Sequence, residues 1–204
     1  MKNKPDYYND LDNIYLKIWS LLENGLKDRS APFHIPVFIC GQNNEFDGRI
    51  VVLRGIDKEK SKIWIHTDIR SNKIKILKNN PKATLLFYDK DQKIQLRMST
   101  LTKISYQNSI TSNSWKKTGH MSRQCYLGKD SPGKISTVPT SGLSEQVDNS
   151  KYTLEESEIG YKNFCVVENF ISSIEWLYLA AKGHRRAYFI VNSNQKIESF
   201  WKIP

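Results

Sequence analysis

Arg49, Arg54, Thr67, Arg70, Ser71, Lys73, Gln95 and Arg97 stand at the ends, or on alternate positions, of apolar runs in one stretch of a 204-residue chain. Their types suit a phosphorylated, planar ligand. An arginine fork pairs bidentately with phosphate and keeps its charge at any physiological pH. Alternate strand residues share a face, which groups Arg49 with Val51 and Leu53, and Ile50 with Val52 and Arg54. Thr67 closes a strand and Ser71 opens a helix, so hydroxyls and free N–H groups meet where an anion is favoured. Arg70 and Lys73 bracket that point with positive charge. Gln95 offers a donor and an acceptor to a ring edge, and Arg97 on the same strand face stabilises negative charge there. Taken singly, these features also read as solvated strand ends and a capped surface helix. Arg49 arriving from the neighbouring strand favours the phosphate. His184-Arg185-Arg186 is a second polar cluster, either a solvated turn or a seat for a second anion.

The elements that must position these groups follow from periodicity and breakers. Leu11, Ile14, Ile18, Leu21 and Leu22 recur at helical spacing after Asp10, a suitable N-cap. Pro32 to Pro36 ends that helix, and a strand runs from Val37 to Cys40. Asn43 to Gly48 reads as a hairpin turn, with Asp47-Gly48 its strongest signal. Strands are expected at 49–54, 62–67, 83–88 and 93–105, with a helix from Ser71 to Lys78 ended by Asn79-Asn80-Pro81. Helical spacing resumes over 107–117. From Leu127 to Gly160 the composition shifts to Ser, Thr, Gly and Pro, which predicts a long arm, with one short helix within 148–161. Strands at 163–170, 173–179, 185–191 and 197–201 complete eight or nine, with two or three helices. Short strands joined by hairpin turns point to an antiparallel barrel, mainly β with peripheral helices, as one domain over 1–204.

Composition narrows the function classes. The formal charge is +10, from 31 basic and 21 acidic residues. Basic residues are spread along the chain among acids, with no Lys/Arg block carrying interleaved aromatics, so specific nucleic-acid binding is not expected. Cys40, Cys125 and Cys165 are widely spaced and form no disulfide or zinc pattern. His34, His66, His120 and His184 show no metal spacing. No Gly-x-Ser-x-Gly, Walker or Gly-x-Gly-x-x-Gly motif is present, and nothing marks a covalent nucleophile, so no catalytic residue is assigned. No apolar run reaches 18 residues, and the segment Met1 to Asp6 lacks the apolar core of a signal peptide, so a cytoplasmic protein is expected.

Arg49-Ile50-Val51-Val52-Leu53-Arg54, His66-Thr67 with Ser71 and Lys73, the Asn79-Asn80-Pro81 break and Gln95-Leu96-Arg97 resemble, in that order, the pyridoxamine 5′-phosphate oxidase family of FMN-binding split barrels. Thr67 to Lys73 and Gly183 to Ala187 resemble an oxidase-related branch. The resemblance implies an antiparallel, Greek-key-like split barrel that forms a homodimer with FMN at the interface. It places Arg49, Ile50, Val51, Val52, Leu53, His66, Thr67, Arg70, Ser71, Lys73, Gln95 and Arg97 on FMN. Ser131, Trp176 or Leu177, and Arg186 would approach from the second subunit. Arg54, Ser122, Arg123 and His184 would lie nearest the phosphate of a small anionic substrate. The chain departs from the oxidases at Asn72, where they carry Arg and Arg70 is a candidate replacement. It departs again at Lys116-Lys117-Thr118-Gly119, in place of Arg-Pro, and at His184-Arg185-Arg186, in place of Arg-Leu-His. The expected activity is FMN-dependent oxidoreduction. The alternatives are a non-catalytic FMN-binding or stress-related module, the pyridoxine/pyridoxamine 5′-phosphate oxidase reaction itself, and a barrel that binds another anion.

Overall fold

The computed structural model describes residues 4–181 and 183–204; residues 1–3 of the polar N-terminus lie outside them. Helix α1, Leu11–Lys27, is capped by Asp10, whose carboxylate accepts from the Asn13 N–H at 2.9 Å. Its predicted stripe buries Ile14, Ile18, Leu21 and Leu22, together with Trp19. Gly25 also faces inward, because a Cβ there would lie 2.7 Å from the Phe33 backbone. The N-terminal 3₁₀ turn Asp6–Asn9 precedes this helix.

The strands are β1 Val37–Gln42, β2 Glu45–Ile50, β3 Leu53–Asp57, β4 Lys62–Asp68, β5 Lys82–Asp89, β6 Ile94–Tyr106, β7 Phe164–Tyr178, β8 Arg185–Val191 and β9 Ile197–Lys202. Helix α2, Asn72–Asn79, lies between β4 and β5. Helices α3 Ser109–Lys117 and α4 His120–Arg123 follow β6. The arm carries α5, Glu145–Asp148, and a 3₁₀ stretch, Glu156–Asn163, so the one short helix expected there becomes two short pieces.

Among the described residues every pairing is antiparallel, in one sheet of order β2-β1-β5-β6-β7-β4-β3, with β8 on β7 and β9 on β8. The fork lies on β7. Its first half pairs with β4 and its second half with β8 along the same edge, while β6 runs along the other edge. The ladder slips at Ser99/Thr100, opposite Ile171 to Ser173. Two strands were expected over 163–179. They are one, because a bulge absorbs the polar break without ending the pairing.

The expected strand over 49–54 is corrected in the opposite sense. Ile50 ends β2 and Leu53 begins β3, so Val51-Val52 is a joint; the Val51 N–H still donates to the Pro36 carbonyl at 2.9 Å, one step beyond the Val37–Ile50 pair. The outermost strands of the sheet are therefore joined through two residues of chain, and the barrel is not closed by a ladder. The hairpin turn is also moved. Asn43 takes a left-handed φ of 51°, which Asn tolerates, and Asp47-Gly48 sits inside β2 opposite Cys40 and Ile39.

The main core lies between the inner face of the sheet and α1, around Phe33, Phe38, Leu85, Met98 and Trp176. A second cluster, Trp115, Tyr126, Phe164 and Val166 with Trp64 and Tyr161 against it, lies on the other face of β4 and β7 beneath α3. Strand β4 divides the two: Ile63, Ile65 and Thr67 are buried on the first side, and Trp64 and His66 alternate to the second. Among the described residues no helix is long and apolar enough to cross a membrane.

Candidate functional site

Lys73 reaches back across the first turn of α2. Its Nζ donates to Thr67 Oγ1 at 2.7 Å and to Ser71 Oγ at 3.2 Å. All three side chains are buried, Lys73 with 5% exposure, and no carboxylate lies within ion-pair distance of its ammonium among the described residues. Burial, followed by the positive Arg49 nearby, pulls Lys73 below its ordinary pKa; Asp47 opposes this. Ser71 occupies the N-cap position but does not cap. Its hydroxyl donates to the Asp68 carbonyl at 2.8 Å, and no side chain answers the first N–H groups of α2.

The arginines expected beside this turn are partly engaged. Arg49 forks onto Asp47. Arg70 binds the buried Asp68 carboxylate through Nε and Nη2, the latter at 2.7 Å, and its Nη1 donates to the Lys129 carbonyl at 3.2 Å. Arg70 therefore ties the arm to the β4–α2 turn, and its charge is answered locally. Arg49 keeps a side chain 37% exposed and electrostatic reach to Lys73.

Gln95 and Arg97 share a face, as expected, but it is the opposite face from Arg49. Arg49 pairs with Phe38 on the core side, whereas Arg97 pairs with Leu86, which continues through Val37 to Ile50. Arg97 and Arg186 each donate to Glu175 Oε1 at 2.8 Å, so these two residues meet within one chain. Burial would raise the Glu175 pKa, but the bond from Arg186 and the Arg97 charge outweigh it and hold the carboxyl below its ordinary value. Leu177 lies opposite both Gln95 and Arg186 on this face, while Trp176 is fully buried on the other. His66 faces the second cluster, against Phe164, and so stands away from its neighbour Thr67 and from Lys73. Ser131 lines a cavity of about 740 Å³ beneath the arm, with Arg70 in its wall.

A third group lies on the second-cluster side. Arg29, Arg54, Trp64, His66, Lys117 and Ser122 are among the residues lining a cleft of about 430 Å³, which has three cationic side chains and no acidic one. Burial, with Arg54 beside it, pushes the His66 pKa down to about 3, so its imidazole is neutral at physiological pH. Of the residues expected near a substrate phosphate, the cleft joins Arg54 and Ser122. Arg123 is excluded: it is 3% exposed and its guanidinium donates to the carbonyls of Thr118 and Trp115, to Ser157 and to Glu158. His184 lines a separate cavity of about 440 Å³ with Arg185, Arg186, Trp201 and Lys202. Arg29 and Trp64 were not among the expected site residues, and Lys117 had been singled out only as a departure from the family's Arg-Pro, because nothing in their local sequence marks them for a ligand.

Residues 19–105 match the family described as pyridoxamine 5′-phosphate oxidase, FMN-binding domain. A crystal structure of a pyridoxamine 5′-phosphate oxidase-related, FMN-binding protein from Nostoc punctiforme superposes with a TM-score of 0.73 at 19% identity, over 92% of this chain and 96% of that one. The fold is the split barrel of the pyridoxamine 5′-phosphate oxidase-related family. PhzG from Burkholderia lata, solved with tetrahydrophenazine-1-carboxylic acid, gives the same TM-score of 0.73 at 15% identity, over 100% and 99% of the two chains. In sequence, the chain is 23% identical over 175 residues to pyridoxine/pyridoxamine 5′-phosphate oxidase 2 of Arabidopsis thaliana, covering 82% of this chain and 83% of the relative. The match over residues 19–105 covers strands β1 to β5 and the β4–α2 turn.

Proposed function

We propose that the protein binds FMN and acts as an FMN-dependent oxidoreductase on a small anionic substrate. The observation that carries this reading is Lys73: a buried ammonium answered only by hydroxyls, at an uncapped helix N-terminus with Arg49 in electrostatic range. A buried charge without a counter-charge is costly, and a phosphate there would supply both the charge and the hydrogen bonds. These residues fit the phosphate of FMN, and the matched family is described as FMN-binding. When bound, the flavin supplies hydride and electron transfer, and the chain contributes binding, orientation and charge.

In this reading Arg49, Thr67, Ser71 and Lys73 hold the phosphate, while Gln95 and Arg97 on the opposite face meet a ring edge where two protomers come together. The outer face that carries Leu86, Gln95, Arg97, Leu177 and Arg186 offers a surface for a second copy, which supports the homodimer that the family resemblance implies. The cleft of Arg29, Arg54 and Lys117 favours an acidic substrate, with the Trp64 ring as an apolar wall. The ligand of PhzG, a ring-fused carboxylic acid, is of that class.

A second reading is favoured by Arg123, whose internal bonds leave the expected substrate set incomplete: the protein holds FMN without turning over pyridoxine or pyridoxamine 5′-phosphate. Purification tests both. A yellow protein with the flavin absorption bands is expected, whereas a colourless protein that takes up no added FMN would refute both readings. Bleaching of the flavin under nitrogen by pyridoxine 5′-phosphate would select the oxidase reaction, and bleaching only by other anionic reductants would select a different substrate.

A further inference from the structure

The loop between β7 and β8 carries His184 and leads into Arg186, the second residue of β8, and it is fastened by residues from the far end of the chain. Tyr8 is buried at 2% exposure, and its hydroxyl donates to the Gly183 carbonyl. The Tyr8 ring meets Tyr178, the last residue of β7, edge-on at 5.0 Å, and the Arg185 guanidinium lies 4.8 Å over it. Arg185 Nε donates to Asn9 Oδ1 at 3.0 Å and its Nη1 donates to the His184 carbonyl at 3.0 Å. The Ala180 N–H donates to His184 Nδ1 at 3.1 Å, which places the proton of the neutral imidazole on Nε2. Gly183 takes a φ of +80°, so the carbonyl that Tyr8 holds belongs to the residue that sets the bend. The cavity beside this loop is lined by Asn9, His184, Arg185, Arg186, Trp201 and Lys202 among others, and no acidic side chain lines it. Arg186 Nε is buried with no partner among the described residues, a donor left open for an acceptor.

We propose that Tyr8 and Asn9 are positioning residues, holding the bend at Gly183-His184 and the start of β8 so that His184 Nε2 and Arg186 are presented together to an anionic ligand. The proposal takes only the class of its ligand from the anionic-substrate reading above, since the His184 cavity is separate from the Arg54 cleft, and rests on the hydrogen bonds alone for its clamp. The chemistry is selective. Tyr8 fixes the backbone at the bend, and Arg185 bridges Asn9 to the carbonyl of His184. His184 then keeps Nδ1 as an acceptor and turns a donor outward.

The test uses the full chain with Tyr8→Phe, which removes the hydroxyl and retains the ring, and Asn9→Ala, which removes an exposed partner of Arg185. In the ligand-free protein, ¹⁵N-edited NMR of the histidine rings is expected to show His184 as the Nε2–H tautomer in the wild type and as a mixture in Tyr8→Phe. With pyridoxal 5′-phosphate as the probe, Tyr8→Phe is expected to weaken binding roughly 3- to 10-fold, the worth of one hydrogen bond. Asn9→Ala is expected to weaken it in the same direction. Tyr8→Phe combined with His184→Ala is expected to bind no more weakly than His184→Ala alone, because the two act through one group. An unchanged tautomer in Tyr8→Phe, or additive losses in the double variant, would overturn the clamp. A changed tautomer with no probe binding in any form of the protein would keep the clamp and overturn the ligand reading.

Discussion

Lys73 Nζ lies 2.7 Å from Thr67 Oγ1 and within ion-pair distance of no carboxylate among the described residues. Replacing Lys73 with Met should therefore act in opposite directions with and without ligand. FMN affinity, read by flavin fluorescence quenching, should fall by about 1.5–3 kcal/mol, roughly 10- to 150-fold, as expected for loss of a hydrogen bond to a charged group. The ligand-free variant should melt no lower than the wild type, because an unpaired buried charge has been removed. The pH dependence has a definite sign. The folded-state pKa of Lys73 lies below its ordinary value, so the unfolded chain binds more protons in that window. Ligand-free stability then rises as pH rises toward about 10.5, and Lys73→Met should flatten this rise. An unchanged FMN affinity would remove Lys73 from the phosphate site.

Arg49 is held by Asp47 two residues earlier on β2, and this pair sets the charge that a ligand meets. Arg49→Ala should weaken FMN binding by about 1.5–3 kcal/mol, whereas Asp47→Asn should strengthen it by freeing the guanidinium. Both effects should shrink at high salt, since Arg49 is partly exposed. Isothermal titration of the two variants at two salt concentrations checks this, and equal affinities in both would show that the pair plays no part in binding.

The β4–α2 turn was legible because its polar residues sit between an alternating strand and a helical stripe. The closing of Arg49 onto Asp47 was legible too, since residues two apart on a strand share a face, but it was not drawn from the sequence; Arg70 instead meets Asp68 through the turn that follows β4. The joint at Val51-Val52 was hidden, because Ile50 to Leu53 are four apolar residues in a row and carry no period that could mark a break. The opposite facing of Arg49 and Arg97 depends on the register of four strands, which no local pattern specifies. Arg123 was misplaced for a related reason. Two of its partners are backbone carbonyls and another is Glu158, 35 residues away, so its local sequence looks like that of any surface arginine.

Arg123 should accordingly matter for stability and not for ligand. Its guanidinium lies 4.5 Å over the Trp115 ring as well as making its four hydrogen bonds. Arg123→Met should cost about 2–3 kcal/mol through the stranded carbonyls and Ser157, lowering the melting temperature by several degrees for a chain of this size. Burial would raise the Glu158 pKa, but the bonds from Trp115 and Arg123 hold it below its ordinary value, so the variant should also shift that carboxyl upward. Chemical denaturation and NMR titration read the two effects. A variant of wild-type stability with weakened binding of an anionic substrate would return Arg123 to the ligand site.

Gly55 on β3 sits opposite Trp64 on β4, and a Cβ at Gly55 would fall 1.9 Å from the indole. Gly55→Ala must push Trp64 aside, and with it a wall of the cationic cleft. The expected cost is about 1–3 kcal/mol, as for other overpacked sites, with a shift in tryptophan emission as the ring moves. A variant with wild-type stability and an unshifted emission spectrum would contradict the packing of β3 on β4.

His66 provides a test of the cleft by pH alone. Burial and the Arg54 charge push its folded-state pKa down to about 3, below its ordinary value of 6.5. Between those values the unfolded chain takes up a proton that the folded chain refuses, so stability falls as pH falls through that window. The slope from this one group approaches about 1.4 kcal/mol per pH unit at its steepest. His66→Gln removes the titration and should flatten the fall between about pH 6 and pH 4, measured by urea denaturation at several pH values. An anion seated in the cleft would oppose the Arg54 charge and raise the His66 pKa, so a saturating anionic ligand should reduce the same slope in the wild type. A pH profile that is identical in wild type and His66→Gln would show that the imidazole is not held neutral by the fold.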